Sequence, residues 1–66
     1  MNGLKIGQYE IDKVADFLKT KNFKILGGHE YHDQEYHLCA SVNVRLPDYS
    51  VKSVEIDYKT GETWSN

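Results

Sequence analysis

The 66-residue chain holds one cysteine and one proline, and it has no long apolar run. One cysteine closes no internal disulfide, so that common reinforcement of very small domains is excluded. With no apolar run of spanning length, a membrane is not among the expected partners. The opening "MNGLKIGQYE" lacks a basic segment leading into an apolar stretch, so no export signal is read. A free thiol without export fits a reducing, cytoplasmic setting. A chain of 66 residues allows one core, hence a single domain over residues 1–66. Such a chain buries only about 60% of its unfolded surface, so packing must be efficient or completed by a partner or a second copy.

What is present is globular in kind. The chain is 39% hydrophobic and 27% charged, with five Tyr, two Phe and one Trp, which counts against disorder. A net charge of −2 counts against nucleic acid as a partner. The charge is unevenly spread: residues 1–28 carry five Lys against three acids, residues 29–66 three basic residues against seven acids. A helix with a basic flank beside an acidic sheet would produce that split.

Apolar residues at Ile11, Val14, Ala15 and Leu18 form the stripe of an amphipathic helix, predicted over residues 10–21. Glu10, Asp12 and Asp16 sit early and Lys19 and Lys21 late, matching the helix dipole, and Asn22 can end the helix in the left-handed conformation. Strands are predicted over residues 23–32, 35–46 and 51–58, with turns at "LPDYS" and "KTGET". Residues 1–8 could add a short strand or a tail.

A two-residue loop at Asp33-Gln34 would oppose Tyr31 to Tyr36, His29 to Leu38, Gly27 to Ala40, Ile25 to Val42 and Phe23 to Val44, all on one sheet face. The third strand would set Val54, Ile56 and Tyr58 beside Val44, Val42 and Ala40. The expected fold is therefore α+β: one amphipathic helix packed on a three-stranded antiparallel β-meander (α-β-β-β) in two layers. Gly27 opposite Ala40 would leave room for the helix, and Trp64 would fold back over one end of the core.

All three histidines and the cysteine fall within "GGHEYHDQEYHLC". In this register His29 faces the core, His37 and Cys39 point the other way with Glu30 across from His37, and His32 lies at the tip beside Glu35. Zinc needs four converging donors, and no Cys-x-x-Cys or His-x-x-x-His spacing supplies them, so no metal ligand is assigned. His37 and Cys39 invite a thiol-nucleophile reading, but a one-helix sheet offers no pocket for the further groups it needs. The Gly27-Gly28 pair lacks the Lys-Ser/Thr of a phosphate loop. No catalytic residue and no cofactor is expected.

One sheet face remains free of the helix. On it fall Lys24, Leu26, Cys39, Ser41 and Asn43, then Arg45, Val51, Ser53, Glu55 and Asp57, a mixed polar platform for a partner. Tyr31, Tyr36 and Tyr49 lie near loops, where aromatics favour interfaces. The edge strands carry no proline, so strand addition is open.

The closing stretch "VKSVEIDYKTGET", with Val54, Ile56, Asp57, Thr60, Gly61 and Glu62, resembles the PepSY domain family, as does the order helix, strand, strand, strand over residues 10–64. The resemblance implies a small non-enzymatic module of a type found in protease propeptides, with an inhibitory role. The expected function is a binding protein, a regulator or inhibitor acting by protein–protein contact; small acidic proteins of this kind include phage-encoded blockers of host or defence enzymes. The alternatives are a self-associating homodimer through edge pairing, a low-ranked nucleic-acid binder using Lys13, Lys19, Lys21 and Lys24 and, fourth, a small enzyme using His37 and Cys39.

Overall fold

The stripe at Ile11, Val14, Ala15 and Leu18 forms helix α1, Gln8–Leu18, in a computed structural model that describes residues 5–65. The helix starts earlier than its stripe because the Gly7 N–H donates to Glu10 Oε1 at 3.0 Å, which anchors the first turn. It also ends earlier than expected. Lys19, not Asn22, takes the left-handed conformation (φ 60°), and the N–H groups of Lys19 and Thr20 both close on the Ala15 carbonyl. Lys19 and Lys21 therefore lie beyond the last turn. Residues 1–4 of the undecided N-terminal stretch fall outside the described residues; residues 5–7 are irregular, and Ile6 packs against the core.

The chain then forms β1 (Lys24–His32), β2 (Leu38–Arg45), β3 (Val51–Asp57) and β4 (Thr63–Ser65), antiparallel in the order β1-β2-β3-β4. The fold is the expected α+β arrangement with one strand more. A three-residue strand shows no alternation in sequence, so β4 leaves no strand signal there. Trp64 does not fold over the core; it lies in β4 opposite Glu55, on the face away from the helix.

Val14 meets Ala40, Val42, Val44, Val54 and Ile56 in a core from which water is fully excluded, with Phe17, Phe23, Ile25 and Leu46 packed around it. Helix α1 lies over β3 and β4. Two long-range contacts fix its N-terminal end: the Tyr58 hydroxyl donates to Glu10 Oε2 at 2.6 Å, and Lys13 Nζ donates to the Gly61 carbonyl at 2.8 Å. The helix makes its main contacts with β3 and β4, and none of the nine β1 residues is buried.

The β1–β2 register departs from expectation. The loop is five residues long, Gly28 pairs with Val42, His29 with Ser41, Glu30 with Ala40 and Tyr31 with Cys39, and a bulge lies between Ile25 and Gly27. The odd shift exchanges faces along most of β1. His29 and Tyr31 share the open face with Cys39, while Gly28 and Glu30 lie on the helix side. Gly28, not Gly27, provides the close approach: a Cβ there would lie 2.5 Å from the Ser41 carbonyl and 3.3 Å from Ile6. Between β2 and β3 the pairing is Val42 with Val54 and Ala40 with Ile56, two residues from the expected register, so the faces stand.

The β1–β2 and β2–β3 loops close alike. The Asp33 N–H bonds the His37 carbonyl (3.0 Å) and Tyr36 N–H the Asp33 carbonyl (3.0 Å); Leu46 N–H bonds the Ser50 carbonyl (2.8 Å) and Tyr49 N–H the Leu46 carbonyl (2.9 Å). Tyr36 (φ 62°) and Tyr49 (φ 69°) occupy the left-handed position that such loops usually give to glycine. In the β3–β4 loop Gly61 fills it, at φ 79°.

Candidate functional site

Two aspartates organise the end of the sheet where the β1–β2 and β3–β4 loops meet. Asp33 Oδ1 accepts the N–H groups of Glu35 and His37, each at 2.9 Å. Asp57 Oδ1 accepts those of Lys59 (2.8 Å) and Thr60 (3.2 Å). With Oδ1 of each committed to its loop, both Oδ2 atoms face His37. Nδ1 of His37 lies 2.9 Å from Asp57 Oδ2 and 3.5 Å from Asp33 Oδ2, and Nε2 lies 3.9 Å from Glu35 Oε1. The hydrogen bond to Asp57 raises the His37 pKa above its ordinary value, with Asp33 and Glu35 adding to it; the same bond, with the two loop N–H groups, holds Asp57 low.

Cys39 lies beneath this group, fully buried, its Sγ 3.6 Å from the His37 carbonyl and 4.0 Å from Asp33 Oδ2. Burial, then Asp57 and Asp33, push its pKa up, so it is a neutral thiol. Further along the same face, Tyr31 reaches across β2 and its hydroxyl donates to Glu55 Oε1 at 2.9 Å; the Ser41 hydroxyl donates to Oε2 at 3.0 Å. Burial and Glu55 raise the Tyr31 pKa well above 10.0.

This arrangement corrects the expected platform. Cys39, Ser41, Glu55 and Asp57 are buried, Asn43 and Ser53 are half-buried and bonded to each other, and only Lys24, Leu26, Arg45 and Val51 stand exposed. The face is closed by its own hydrogen bonds because Tyr31, shifted onto it by the true register, covers β2. Among the three tyrosines, Tyr31 is tied into this network, whereas Tyr36 and Tyr49 are 84% and 82% exposed at opposite ends of the sheet. Glu30 is not across from His37 but on the other face.

Metal-capable donors do converge here: Asp33, Cys39 and Asp57 form one triad within 4.8 Å, and Asp33, Glu35 and His37 another. Neither includes His29 or His32. Among the described residues no buried side-chain nitrogen or oxygen lacks a partner, so the donors are satisfied by one another. The Asp57–His37 pair has the form of an oriented base, but Nε2 faces an exposed carboxylate, and the Cys39 thiol, protonated, donates to the His37 backbone carbonyl and not to the ring. Sequence reasoning missed Asp33, whose signal was the Asp-x-x-x-His spacing, and the pairing of His37 with Asp57, which only the tertiary register creates.

Fold and site together define a small two-layer α+β domain whose polar sheet face is sealed from within. Comparison of the chain with protein-family models, curated proteins and solved structures finds no match.

Proposed function

We propose that the protein is a non-enzymatic binding module that engages a partner protein along the free edge of β1. The observation that carries this reading is the exposure of that strand: nine residues, none buried, to one side of the helix's main contacts with β3 and β4. The Asp33 N–H to His37 carbonyl bond sets the alternation of the ladder, so His29 and Tyr31 direct their peptide groups at β2 while Gly28, Glu30 and His32 direct theirs outward. Three outward N–H groups and three outward carbonyls, in a regular run past the bulge, offer a partner strand the start of a ladder. The buried thiol and satisfied carboxylates favour binding over chemistry. A regulator or inhibitor in a reducing cytoplasm fits, since Cys39 is held as a thiol. The PepSY-like residues Asp57 to Glu62 form the β3–β4 turn, on the far side of the sheet, so that resemblance bears on the scaffold rather than on the edge.

Proline at Glu30 removes one outward N–H without touching the β2 ladder. Immobilised protein should capture a partner from its native host, and Glu30→Pro should lose it while Lys59→Ala, on the β3–β4 loop and off the β1 edge, keeps it. Capture that survives Glu30→Pro defeats the edge; repeated capture of nothing defeats the binding reading itself.

A further inference from the structure

The two ends of the molecule are opposite in charge. The end carrying the β1–β2 and β3–β4 loops holds Glu10, Asp33, Glu35, Asp57 and Glu62, with Lys59 and Lys13, whose Nζ bonds the Gly61 carbonyl, as the lysines against them. The other end, where the helix stops and β2 turns into β3, gathers Lys19, Lys21, Lys24, Arg45 and Lys52 against Asp16 and Asp48. The sequence halves suggested a basic helix beside an acidic sheet; the fold turns that into a separation along the strands.

Each end also has a shape. At the basic end a groove of about 520 Å³ opens between the helix terminus and the β2–β3 loop, walled by Phe17, Leu18, Leu46 and Pro47, with Lys52 and Asp48 at its rim. At the acidic end Tyr36 projects from the tip of the β1–β2 loop, 84% exposed and in a left-handed conformation that glycine would adopt more readily. An aromatic side chain held there contributes little to the core. It presents a ring flanked by Glu35 and, at the base of the loop, Asp33.

We infer that copies of this chain associate head to tail, the acidic Tyr36 loop of one seated in the groove at the basic end, between helix and β2–β3 loop of the next. The ring meets the apolar walls and the Lys52 ammonium, and the flanking carboxylates are drawn by the surplus of cations at that end, five against Asp16 and Asp48. Because the two contact surfaces are different patches, the association is heterologous and can extend into chains. A nine-residue strand is about 30 Å long, which matches the longest dimension in a molecule of 34 × 26 × 22 Å. The ends are thus the small faces, and a contact between them belongs to the weak, transient class of interface. This inference is independent of the β1 edge, which the contact leaves open.

Sedimentation velocity on the intact chain tests it. At about 0.01 M salt, where charges act over about 30 Å, the mean mass should rise with concentration; at about 1 M, where they act over about 3 Å, it should return to the monomer. Tyr36→Ser and Lys52→Glu, both at exposed positions, should each stay monomeric at low salt with unchanged circular dichroism. Mixed in equal amounts, they should form dimers and nothing longer, since one supplies an intact groove and the other an intact tip. A monomer at every concentration overturns the inference. So does a dimer that ignores salt and survives both substitutions, which would mean edge pairing, and so does a basic end that binds single-stranded oligonucleotide while the chain alone stays monomeric. Glu30→Pro should leave the self-association unchanged, which separates this contact from the proposed partner edge.

Discussion

Removing one oxygen from Tyr31 tests the register and the sealed face together. The Tyr31 hydroxyl donates to a carboxylate that is only 3% exposed, and the Ser41 hydroxyl donates to the same carboxylate. A hydrogen bond to a charged group contributes about 1.5–3 kcal/mol. Tyr31 is half-buried, so water can partly replace it, and the lower part of that range, about 1.5–2 kcal/mol, applies to Tyr31→Phe. For a domain of this size each kcal/mol shifts the melting temperature by about 4–8 °C, so the variant should melt about 6–16 °C below the parent. Tyr36→Phe, at an 84% exposed ring, should change stability by less than about 0.5 kcal/mol. Thermal melts followed by circular dichroism measure both. A double-mutant cycle with Glu55→Gln should show a coupling of about 0.5–3 kcal/mol, because the two groups touch. In the two-residue-loop register Tyr31 would sit on the helix side, opposite Tyr36, with no carboxylate to lose. Melts of Tyr31→Phe and Tyr36→Phe that coincide would therefore refute the pairing and everything drawn from it.

The His37 pair predicts how stability depends on pH. The folded pKa of His37 lies above its ordinary 6.5, so its contribution is complete below 6.5 and is lost as pH rises through the raised folded value; that of Asp57 lies below 3.8, so its contribution is present above 3.8 and is lost as pH falls through the lowered one. Melting temperature should decline on the alkaline side of 6.5 in the parent and not in His37→Gln; parallel curves would contradict the pairing. Gly28→Ala forces a methyl against the Ser41 carbonyl and should cost about 1–3 kcal/mol in denaturant melts, which a neutral result would contradict. Replacing Tyr36 or Tyr49 by Gly relieves about 1–3 kcal/mol of left-handed strain, less about 0.5–1 kcal/mol for the freer unfolded glycine. Each variant should gain about 1 kcal/mol in the same melts; a loss would mean that these rings support the fold.

The parts of the fold that were legible are those where side chains alternate without interruption. Ala40, Val42 and Val44 on β2 and Val54 and Ile56 on β3 mark one face so plainly that a two-residue error in their pairing left both faces correct. Strand β1 has no such mark, because Gly27 and Gly28 interrupt the pattern where the bulge shifts it, and His29 and Tyr31 suit either face. The loop length then decided the register, and Tyr36 concealed it: the left-handed residue that closes a five-residue loop is usually glycine, so a tyrosine there gives no turn signal. The polar cluster was half visible. Asp33 and His37 are four apart, but Asp57 joins them through tertiary pairing alone, and whether the polar face lies open or sealed depends on where Tyr31 points.

The central claim is that the outer edge of β1, which pairs with no strand among the described residues, is available to a partner. Amide hydrogen exchange of the dilute monomer, resolved residue by residue, measures this directly. His29 and Tyr31 should be slow, and Gly28, Glu30 and His32 should exchange at close to the rate of open chain. Equal protection at all five amides would mean that the edge is already covered, and the binding mode proposed for it would have no strand to act through.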